Sequence, residues 1–467
     1  MKDLEAGTEK RKVAISLFSG GGIGDIGIEW GNNIQVVSKC EINKERAALL
    51  RGNFPNCKVF EGDIWEEKDC IVQDFKFRFQ GKTPWLVIAS PPCQGMSANG
   101  AGRISIAIAD GIRNENDERN RLILPSIEII DLLKPEWFIF ENVPRMVNTV
   151  IPNEREEPEN IMHLIERKLG NEYEIQVKKM DFSKQGIPQF RERLITIGRH
   201  RKDISSPEKG NIKFHPSEED KIITLRDAIS HLEPLDAIEK PTSESLPLHR
   251  VPSLNLDHYY WIENTPEDNS AFNNLTCPDC KTTMAKPDLE TQNILLTTCI
   301  NCDSPLPRPN IIVEGWVCHE CHIIGKKWKR LCPEGHKRNG AKLRKIRRLI
   351  SGFDTSYRRM AWDKPAKTVT QNSGTFSSDG KGHPSQNRVL SLEELMILQT
   401  MKSSPVLDLP WENEYQFTFV DDSLNEYEPQ QDLDAIIREI IGESIPPFAM
   451  YNIIKNLLRL DQENTEV

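Results

Sequence analysis

The sequence has no apolar run that approaches the roughly 18 residues of a membrane-spanning helix, which argues against an integral membrane protein. Its N-terminal residues lack the apolar core of about 7–15 residues that a secretory signal peptide needs, so we expect a cytoplasmic protein. Positive charge is not in excess either, because 60 Lys and Arg against 70 Asp and Glu give a formal net charge of -10. This balance argues against a protein that binds polyanions without specificity.

The cysteines are unevenly distributed. Of the 11 cysteines, four occur from Cys40 to Cys93 and seven from Cys277 to Cys332. In a reducing compartment such a cluster indicates metal binding rather than disulfides. Three Cys-x2-Cys pairs and one Cys-x3-His pair supply enough ligands for two tetrahedral sites, which predicts two structural zinc ions whose ligand pairing stays open. The eight ligands are Cys277, Cys280, Cys299, Cys302, Cys318, Cys321, Cys332 and His336.

The order of sequence patterns predicts an interrupted α/β fold. Between residues 13 and 200, short apolar strands such as VAISLF and WLVIAS alternate with amphipathic helices, which is typical of a sheet with helices on both faces. Over 201–387 prolines increase and the alternation ends, which predicts a smaller domain with a zinc-binding insertion at about 275–340. Helical periodicity returns over 388–460, and we expect these helices to complete the first domain.

A glycine-rich turn, FSGGGIGDIG at 18–27, follows the first predicted strand and opens a helix. Glycines let the backbone approach a ligand closely, and the helix N-terminus offers unpaired amides. Gly22, Gly24 and Gly27 fit the GxGxxG pattern, and Glu41 ends the next strand, where a carboxylate can bind ribose hydroxyls. By itself the pattern fits a dinucleotide-dependent dehydrogenase as well as an enzyme with an adenosyl cofactor.

Cys93 and Glu141 follow two other apolar strands, at the edge where open α/β sheets bind ligands. Cys93 lies in ASPPCQGMS, whose prolines and glycine predict an exposed turn, so we interpret it as a nucleophile. Glu141 ends the strand in FIFENVP, where exclusion of water favours an uncharged carboxyl group that can donate a proton.

A third segment, QGIPQFRERLITIG at 185–198, contains two arginines near the start of a strand. Gln189, Arg191 and Arg193 alternate with period 2, which predicts that all three side chains lie on one face. Two guanidinium groups on one face suit a phosphate or a base carbonyl.

The order of these motifs resembles the DNA cytosine-5 methyltransferase family. FSGGGIG, PPCQG, ENV and QxRxR occur in the family's order, and the resemblance covers 13–199 and 361–457. It implies a Rossmann-like domain that uses S-adenosylmethionine, joined to a smaller target-recognition domain, and so favours the adenosyl cofactor for the glycine turn. We expect a monomer that acts on duplex DNA at the nucleoid of a prokaryotic cell, in a restriction-modification or related role with a restriction endonuclease as functional partner.

The resemblance also implies roles for individual residues. Cys93 would add to carbon 6 of a flipped cytosine, and Glu141 would bind ring nitrogen 3 and the exocyclic amine. Arg193 and Arg191 would hold the base carbonyl. The positions that match the family's cofactor contacts are Phe18, Gly20, Gly22, Glu41, Ile42, Asp63, Ile64, Pro92, Leu122 and Ser444. The last motif departs from the family's pattern, because Glu443 stands where the family has asparagine.

Residues 326–348 form a basic stretch with eleven Lys or Arg, one acidic residue, Glu334, and an interleaved Trp328. This composition predicts a phosphate-binding surface within the target-recognition domain, with a solvated charged face as the alternative. Two other functions stay open at this point. One is methylation of cytosine in transfer RNA, and the other is a catalytically silent, sequence-specific DNA-binding protein.

Overall fold

The computed structural model describes residues 11–92, 118–203, 212–218, 222–284, 297–317, 324–325, 343–349, 356–378, 380–417 and 430–465. The chain divides into two compact units. Unit 1 consists of Met1–Ser230 with Leu395–Val467, and unit 2 is His231–Glu394.

Unit 1 contains a seven-stranded sheet with the order β3-β2-β1-β4-β5-β9-β8. Neighbours among β1 to β5 pair in parallel, whereas β9 pairs antiparallel with both β5 and β8. The strands are β1 (Val13–Leu17), β2 (Gln35–Glu41), β3 (Lys58–Glu61), β4 (Leu86–Ala89), β5 (Trp137–Asn142), β8 (Tyr173–Asp181) and β9 (Glu192–His200). A separate two-stranded ribbon joins β6 (Val150–Pro152) to β7 (Pro158–Asn160). The predicted alternation of strands and helices is therefore present.

Helices cover both faces of this sheet. The helices described in unit 1 are α1 (Ile23–Asn32), α2 (Lys44–Asn53), α3 (Ile64–Arg78), α4 (Ile123–Leu133), α5 (Ile161–Leu169), α6 (Leu225–Ile229), α9 (Gln430–Glu443) and α10 (Pro447–Thr465). One apolar core combines sheet residues with α3, α4 and α5, and a second combines the opposite sheet face with α1 and α10. Near the C-terminus, the stretch with helical periodicity forms two helices, α9 and α10. Pro446 and Pro447 separate them, because a proline ring cannot continue a helix.

The final helix is fixed tightly against the rest of unit 1. A Cβ at Gly27 of α1 would lie 2.0 Å from the carbonyl oxygen of Pro447, so glycine allows the two helices to touch through their backbones. Farther along α10, Asp461 accepts hydrogen bonds from the indoles of Trp85 at 2.7 Å and Trp137 at 3.0 Å. Backbone packing therefore holds α10 to α1, and the two part-buried hydrogen bonds hold it to Trp85 and Trp137.

A buried cluster of charges lies between α1 and β2. Lys39 is fully buried, and its Nζ lies 2.7 Å from Asp25 and 2.9 Å from Glu29. Burial alone would lower the pKa of Lys39, but the two carboxylates raise it above its ordinary value. The same ammonium lies 3.9 Å from the ring centroid of Phe54. No sequence motif predicted this cluster.

Unit 2 has an apolar core that includes Trp261, Tyr357 and Phe376. Its elements are α7 (Leu256–Glu263) and a three-stranded antiparallel sheet with the order β11-β10-β12. These strands are β10 (Asn310–Val317), β11 (Ile324–Gly325) and β12 (Leu343–Leu349), and α8 (Leu392–Leu398) begins at the boundary with unit 1.

A buried ion pair stabilises the end of unit 2. Both terminal nitrogens of Arg388 lie 2.7 Å from a carboxylate oxygen of Glu394, and both side chains are about 1% exposed. Burial alone would raise the pKa of Glu394, but the Arg388 guanidinium lowers it to about 2. The pair is therefore charged at neutral pH.

Candidate active site

The glycine turn connects β1 to α1, and two of its glycines are required for different reasons. Gly20 and Gly22 have φ of +55° and +76°, a region that disfavours residues with a side chain. A Cβ at Gly22 would collide with the Phe54 ring at 2.5 Å, whereas a Cβ at Gly20 would meet nothing within 4 Å. The backbone at Gly20 is thus open to a ligand. Phe18, with φ of 57°, packs beside the turn against the first apolar core.

Glu41, at the end of β2, is bonded directly to this turn. Its buried carboxylate accepts hydrogen bonds from the amides of Gly20 at 2.8 Å and Asn43 at 2.9 Å. Burial raises the pKa of Glu41 above its ordinary value. An ionised carboxylate offers about four lone-pair sites, so acceptor capacity is left for ligand hydroxyls. Ile42 is 66% exposed, which leaves an apolar surface beside the carboxylate.

The next two predicted cofactor residues begin α3. Asp63 is the N-cap of this helix and accepts from the Trp65 amide at 2.9 Å. Ile64 is buried in the first apolar core, and Leu122 packs against the same core from the turn that precedes α4. These contacts account for all three residues structurally, and a ligand contact for them stays a prediction.

Cys93 lies outside the described residues, but the segment that leads into it is described. Pro91 and Pro92 follow β4, and the side-chain amide of Asn142 donates to the Pro91 carbonyl at 3.1 Å. Asn142 is the second residue of the ENV motif and is buried. It ties the end of β5 to the segment that leads into Cys93, a role that the sequence analysis missed.

Glu141 and Arg193 form an ion pair at this edge of the sheet. The Nε of Arg193 lies 2.8 Å from Oε1 of Glu141, and the side chains are 16% and 10% exposed. Arg193 also donates to the Glu192 carbonyl at 2.8 Å. The two residues were predicted as separate contributors, whereas the structure joins them into one charged unit.

Arg191 occupies a different place from Arg193. Strand β9 begins at Glu192, so Gln189 and Arg191 precede it and the predicted alternation on one face does not apply to them. Arg191 is buried and donates to the carbonyls of Gly442 at 3.2 Å and Ser444 at 2.7 Å. The QxRxR segment therefore supports the last motif of the chain.

Ser444 belongs to the same buried network. Its carbonyl and hydroxyl both accept from the side-chain amide of Gln399 at 2.8 Å, and its hydroxyl donates to the Ile441 carbonyl at 2.8 Å. Gln189 donates to Gln399 Oε1 at 2.7 Å. Because its partners lie far away in sequence, this network could not be read from local spacing.

Four of the predicted metal ligands come together in unit 2. The Sγ atoms of Cys277, Cys280, Cys299 and Cys302 all lie within 4.8 Å of one another, and none is in a disulfide. The closest approaches are 3.6 Å between Cys277 and Cys302 and 3.4 Å between Cys280 and Cys299. Cys318, Cys321, Cys332 and His336 lie outside the described residues.

The two Cys-x2-Cys segments fold as two copies of the same hairpin. Residues 275–284 and 297–306 make matching backbone hydrogen bonds, and Lys281 and Asp303 at equivalent positions both have φ of 59°. In the first pair of bonds, the Cys277 amide donates to the Thr282 carbonyl at 2.9 Å and the Cys299 amide to the Ser304 carbonyl at 2.8 Å. In the second, the Lys281 amide donates to Cys277 and the Asp303 amide to Cys299, both at 3.0 Å. In the third, the Met284 amide donates to Leu275 at 2.8 Å and the Leu306 amide to Thr297 at 2.9 Å. Each hairpin presents two thiols, as the knuckles of tetrahedral zinc sites do.

None of the helices in the described residues combines the length and apolar character that crossing a membrane requires.

Comparison with known proteins identifies the family. The profile of the C-5 cytosine-specific DNA methylases matches residues 13–459. The type II methyltransferase M1.HgaI of Avibacterium volantium is 28% identical over 460 residues, which cover 96% of this chain and 99% of the relative. The type II methyltransferase M1.HphI of Haemophilus parahaemolyticus is 31% identical over 225 residues, or 48% of this chain and 54% of the relative.

Solved structures agree on the fold. A putative prophage-encoded DNA modification methyltransferase from E. coli superposes with a TM-score of 0.51 at 17% identity, covering 96% of this chain and 99% of that one. The Entamoeba histolytica methyltransferase EhMeth gives a TM-score of 0.50 at 14% identity, covering 97% and 99%. These similarities confirm the predicted α/β fold, and the profile match confirms the resemblance drawn from the motifs. The chain belongs to the family of C-5 cytosine-specific DNA methylases.

Proposed function

We propose that this protein transfers a methyl group from S-adenosylmethionine to carbon 5 of a flipped cytosine in a specific duplex DNA sequence, through a covalent adduct with Cys93. The observation that carries the proposal is the placement of the site residues at one edge of the sheet. The carboxyl ends of β1, β2, β4 and β5 lead into the glycine turn, Glu41, the Pro91–Pro92 segment and the Glu141–Arg193 pair. Ligands bind at this edge in open α/β sheets.

The site's residues suit the cofactor. Gly20 has open space where a Cβ would stand, Glu41 keeps acceptor capacity, and Ile42 exposes an apolar side chain. A ligand can therefore approach the Gly20 backbone closely. The Glu41 carboxylate can accept hydrogen bonds from ribose hydroxyls, and the Ile42 side chain can pack against the face of an adenine ring. When bound, S-adenosylmethionine supplies an electrophilic methyl group. The other proposed binding residues are Phe18, Gly22, Asp63, Ile64, Pro92, Leu122 and Ser444.

Three residues of this chain, Cys93, Glu141 and Arg193, act on the cytosine. The Cys93 thiolate adds to carbon 6 of the cytosine, which raises the electron density at carbon 5. Glu141 binds ring nitrogen 3 and the exocyclic amine, and so offsets the charge that develops on the ring. Arg193 orients Glu141 and is available to the base carbonyl. Once carbon 5 carries the transferred methyl group, loss of its proton to water re-forms the bond between carbons 5 and 6 and expels Cys93 as a thiolate. Because carbon 6 is inaccessible in a duplex, the base must be flipped out at a cost of about a few kcal/mol.

We assign target recognition to unit 2. Four of the seven residues of β12 are Arg or Lys, and none is acidic. β12 continues the basic stretch predicted to bind phosphates, the first part of which (326–342) lies outside the described residues. An antiparallel ribbon such as β10–β12 has dimensions that fit a DNA groove. The type II names of the relatives favour a role in restriction-modification, with a restriction endonuclease as the functional partner.

We further propose that the four clustered cysteines bind one structural zinc ion and that the remaining four predicted ligands bind a second. Zinc–sulfur bonds of about 2.3 Å in a tetrahedron hold the sulfurs roughly 3.8 Å apart, close to the observed separations of 3.4 and 3.6 Å. Four protein ligands leave no open position, which indicates a structural rather than a catalytic site.

The decisive experiment uses duplex DNA that contains 5-fluorocytosine, since fluorine cannot leave as a proton does and the Cys93 adduct should be trapped. We expect a covalent complex that requires S-adenosylmethionine and is absent in Cys93→Ser. Capture of transfer RNA instead of duplex DNA would favour the RNA alternative. Absence of any adduct, with specific DNA binding retained, would favour the silent DNA-binding alternative.

A further inference from the structure

Glu443, the residue that departs from the family's last motif, has a defined partner. Its Oε2 lies 2.7 Å from Nη2 of Arg46 on α2, and the same nitrogen lies 2.8 Å from Oε1 of Glu439, one turn earlier on α9. The Arg46 side chain is only 17% exposed, compared with 33% for Glu443 and 49% for Glu439. One guanidinium is thus held between two carboxylates that would otherwise repel each other along the helix.

Arg46 also lies close to the buried carboxylate of Glu41. The Asn43 side chain accepts from the Arg46 amide at 2.9 Å, while the Asn43 amide donates to Glu41 at 2.9 Å. Arg46 and Glu41 attract each other electrostatically, although the guanidinium is bonded to the other two carboxylates. Three carboxylates therefore compete for one cation beside the cofactor site.

We propose that Glu443, together with Glu439, holds the Arg46 guanidinium away from Glu41 and so keeps the Glu41 carboxylate available to the cofactor's ribose hydroxyls. This inference rests on the proposed binding of S-adenosylmethionine. A guanidinium that turned to Glu41 would engage it through strong charge-assisted hydrogen bonds and occupy the lone pairs that ribose needs. Glu443 is then a positioning residue. It supports cofactor binding through its negative charge, which an asparagine at this position would lack.

The test is a double-mutant cycle on the full chain, with S-adenosylmethionine binding measured by titration calorimetry. We expect Glu443→Gln to weaken binding about tenfold, because Glu439 alone then competes with Glu41 for the Arg46 guanidinium. Arg46→Gln in the same chain removes the competing cation, so the double variant should bind within about twofold of the unaltered protein. Glu443→Asp keeps the charge and should lose less than Glu443→Gln. At saturating cofactor, the rate of methyl transfer should be unchanged.

A matched control exists in the same unit. Arg167 is likewise held between two glutamates, at 3.0 Å from Glu154 and 2.7 Å from Glu159, so Glu154→Gln should leave cofactor binding unaltered. The inference would be overturned if Glu443→Gln weakened cofactor binding equally with Arg46 present and with Arg46 replaced. It would also be overturned if Glu443→Gln did not weaken binding at all. Failure of the unaltered protein to bind S-adenosylmethionine would instead overturn the proposed function.

Discussion

The Nε of Arg193 lies 2.8 Å from Oε1 of Glu141, across the antiparallel pair that β9 forms with β5. Both side chains are largely buried, so neither charge can be removed without leaving the other poorly compensated. The strand pairing fixes the backbones that carry them. Glu141, the proposed contact to the base, and Arg193, which orients it, are therefore in place before DNA binds.

This relationship predicts that the two side chains act as one unit. Glu141→Gln should lower kcat for methyl transfer by about 100-fold, because an amide cannot deliver a proton to ring nitrogen 3. Arg193→Gln should produce a similar loss, and the double variant should be little worse than either single variant. Steady-state kinetics on a duplex substrate measures all three. Fully additive losses would show that the residues contribute independently, and an unchanged rate for Glu141→Gln would remove it from the mechanism.

The cysteine cluster predicts a metal content that can be counted. The purified chain should contain two zinc ions, and Cys302→Ser should lose one of them while the core of unit 1 keeps its cofactor binding. Elemental analysis and cofactor titration measure the two properties. Cys70→Ser replaces an exposed thiol outside the cluster and should leave the zinc content unchanged. Zinc-free protein that still methylates DNA specifically would contradict the assignment.

Two glycines of α1 predict opposite responses to alanine. Gly27→Ala should destabilise unit 1 by about 1–3 kcal/mol or more, because its Cβ would lie 2.0 Å from the backbone of α10. Gly24→Ala on the same helix places its Cβ 3.4 Å from Ile445 and should cost little or add stability, since alanine favours a helix. Urea unfolding of both variants makes the comparison. Equal effects would show that α1 and α10 do not depend on this backbone contact.

The Arg388–Glu394 pair predicts acid sensitivity in unit 2. A carboxyl group whose pKa falls from 4.5 to about 2 on folding stabilises the folded state above pH 4.5, and that stabilisation is lost as the pH falls towards 2. Burial lowers the pKa of His383 from 6.5 to about 3, so between these pH values the unfolded chain binds a proton at this residue and the folded chain does not. This difference also favours unfolding as the pH falls. Arg388→Met should cost about 3–5 kcal/mol at neutral pH and less in acid. Unfolding free energies measured against pH test this, with Glu233→Gln, at the more exposed Lys240–Glu233 pair, as a control that should change the profile much less.

Much of unit 1 could be predicted because its strands are short continuous apolar runs, as in WLVIAS, and its motifs follow them directly. The buried Lys39 cluster could not, since a lysine within a strand ordinarily indicates an exposed position and its partners lie on a neighbouring helix. Arg191 was expected beside the base, but its carbonyl partners at Gly442 and Ser444 are distant in sequence. The zinc ligands followed from spacing, whereas the repeated hairpin of backbone bonds required coordinates.

The division of unit 1 into two chain segments has a consequence for biosynthesis. One face of its sheet, including Ala14, Ile88 and Ile139, is covered by α10, which the ribosome makes after unit 2. His231–Glu394 is contiguous and emerges earlier. We therefore expect unit 2 to fold during translation while the sheet of unit 1 still exposes an apolar face. A chain that stops before α10 would combine a folded unit 2 with a sheet whose uncovered apolar face is prone to aggregation.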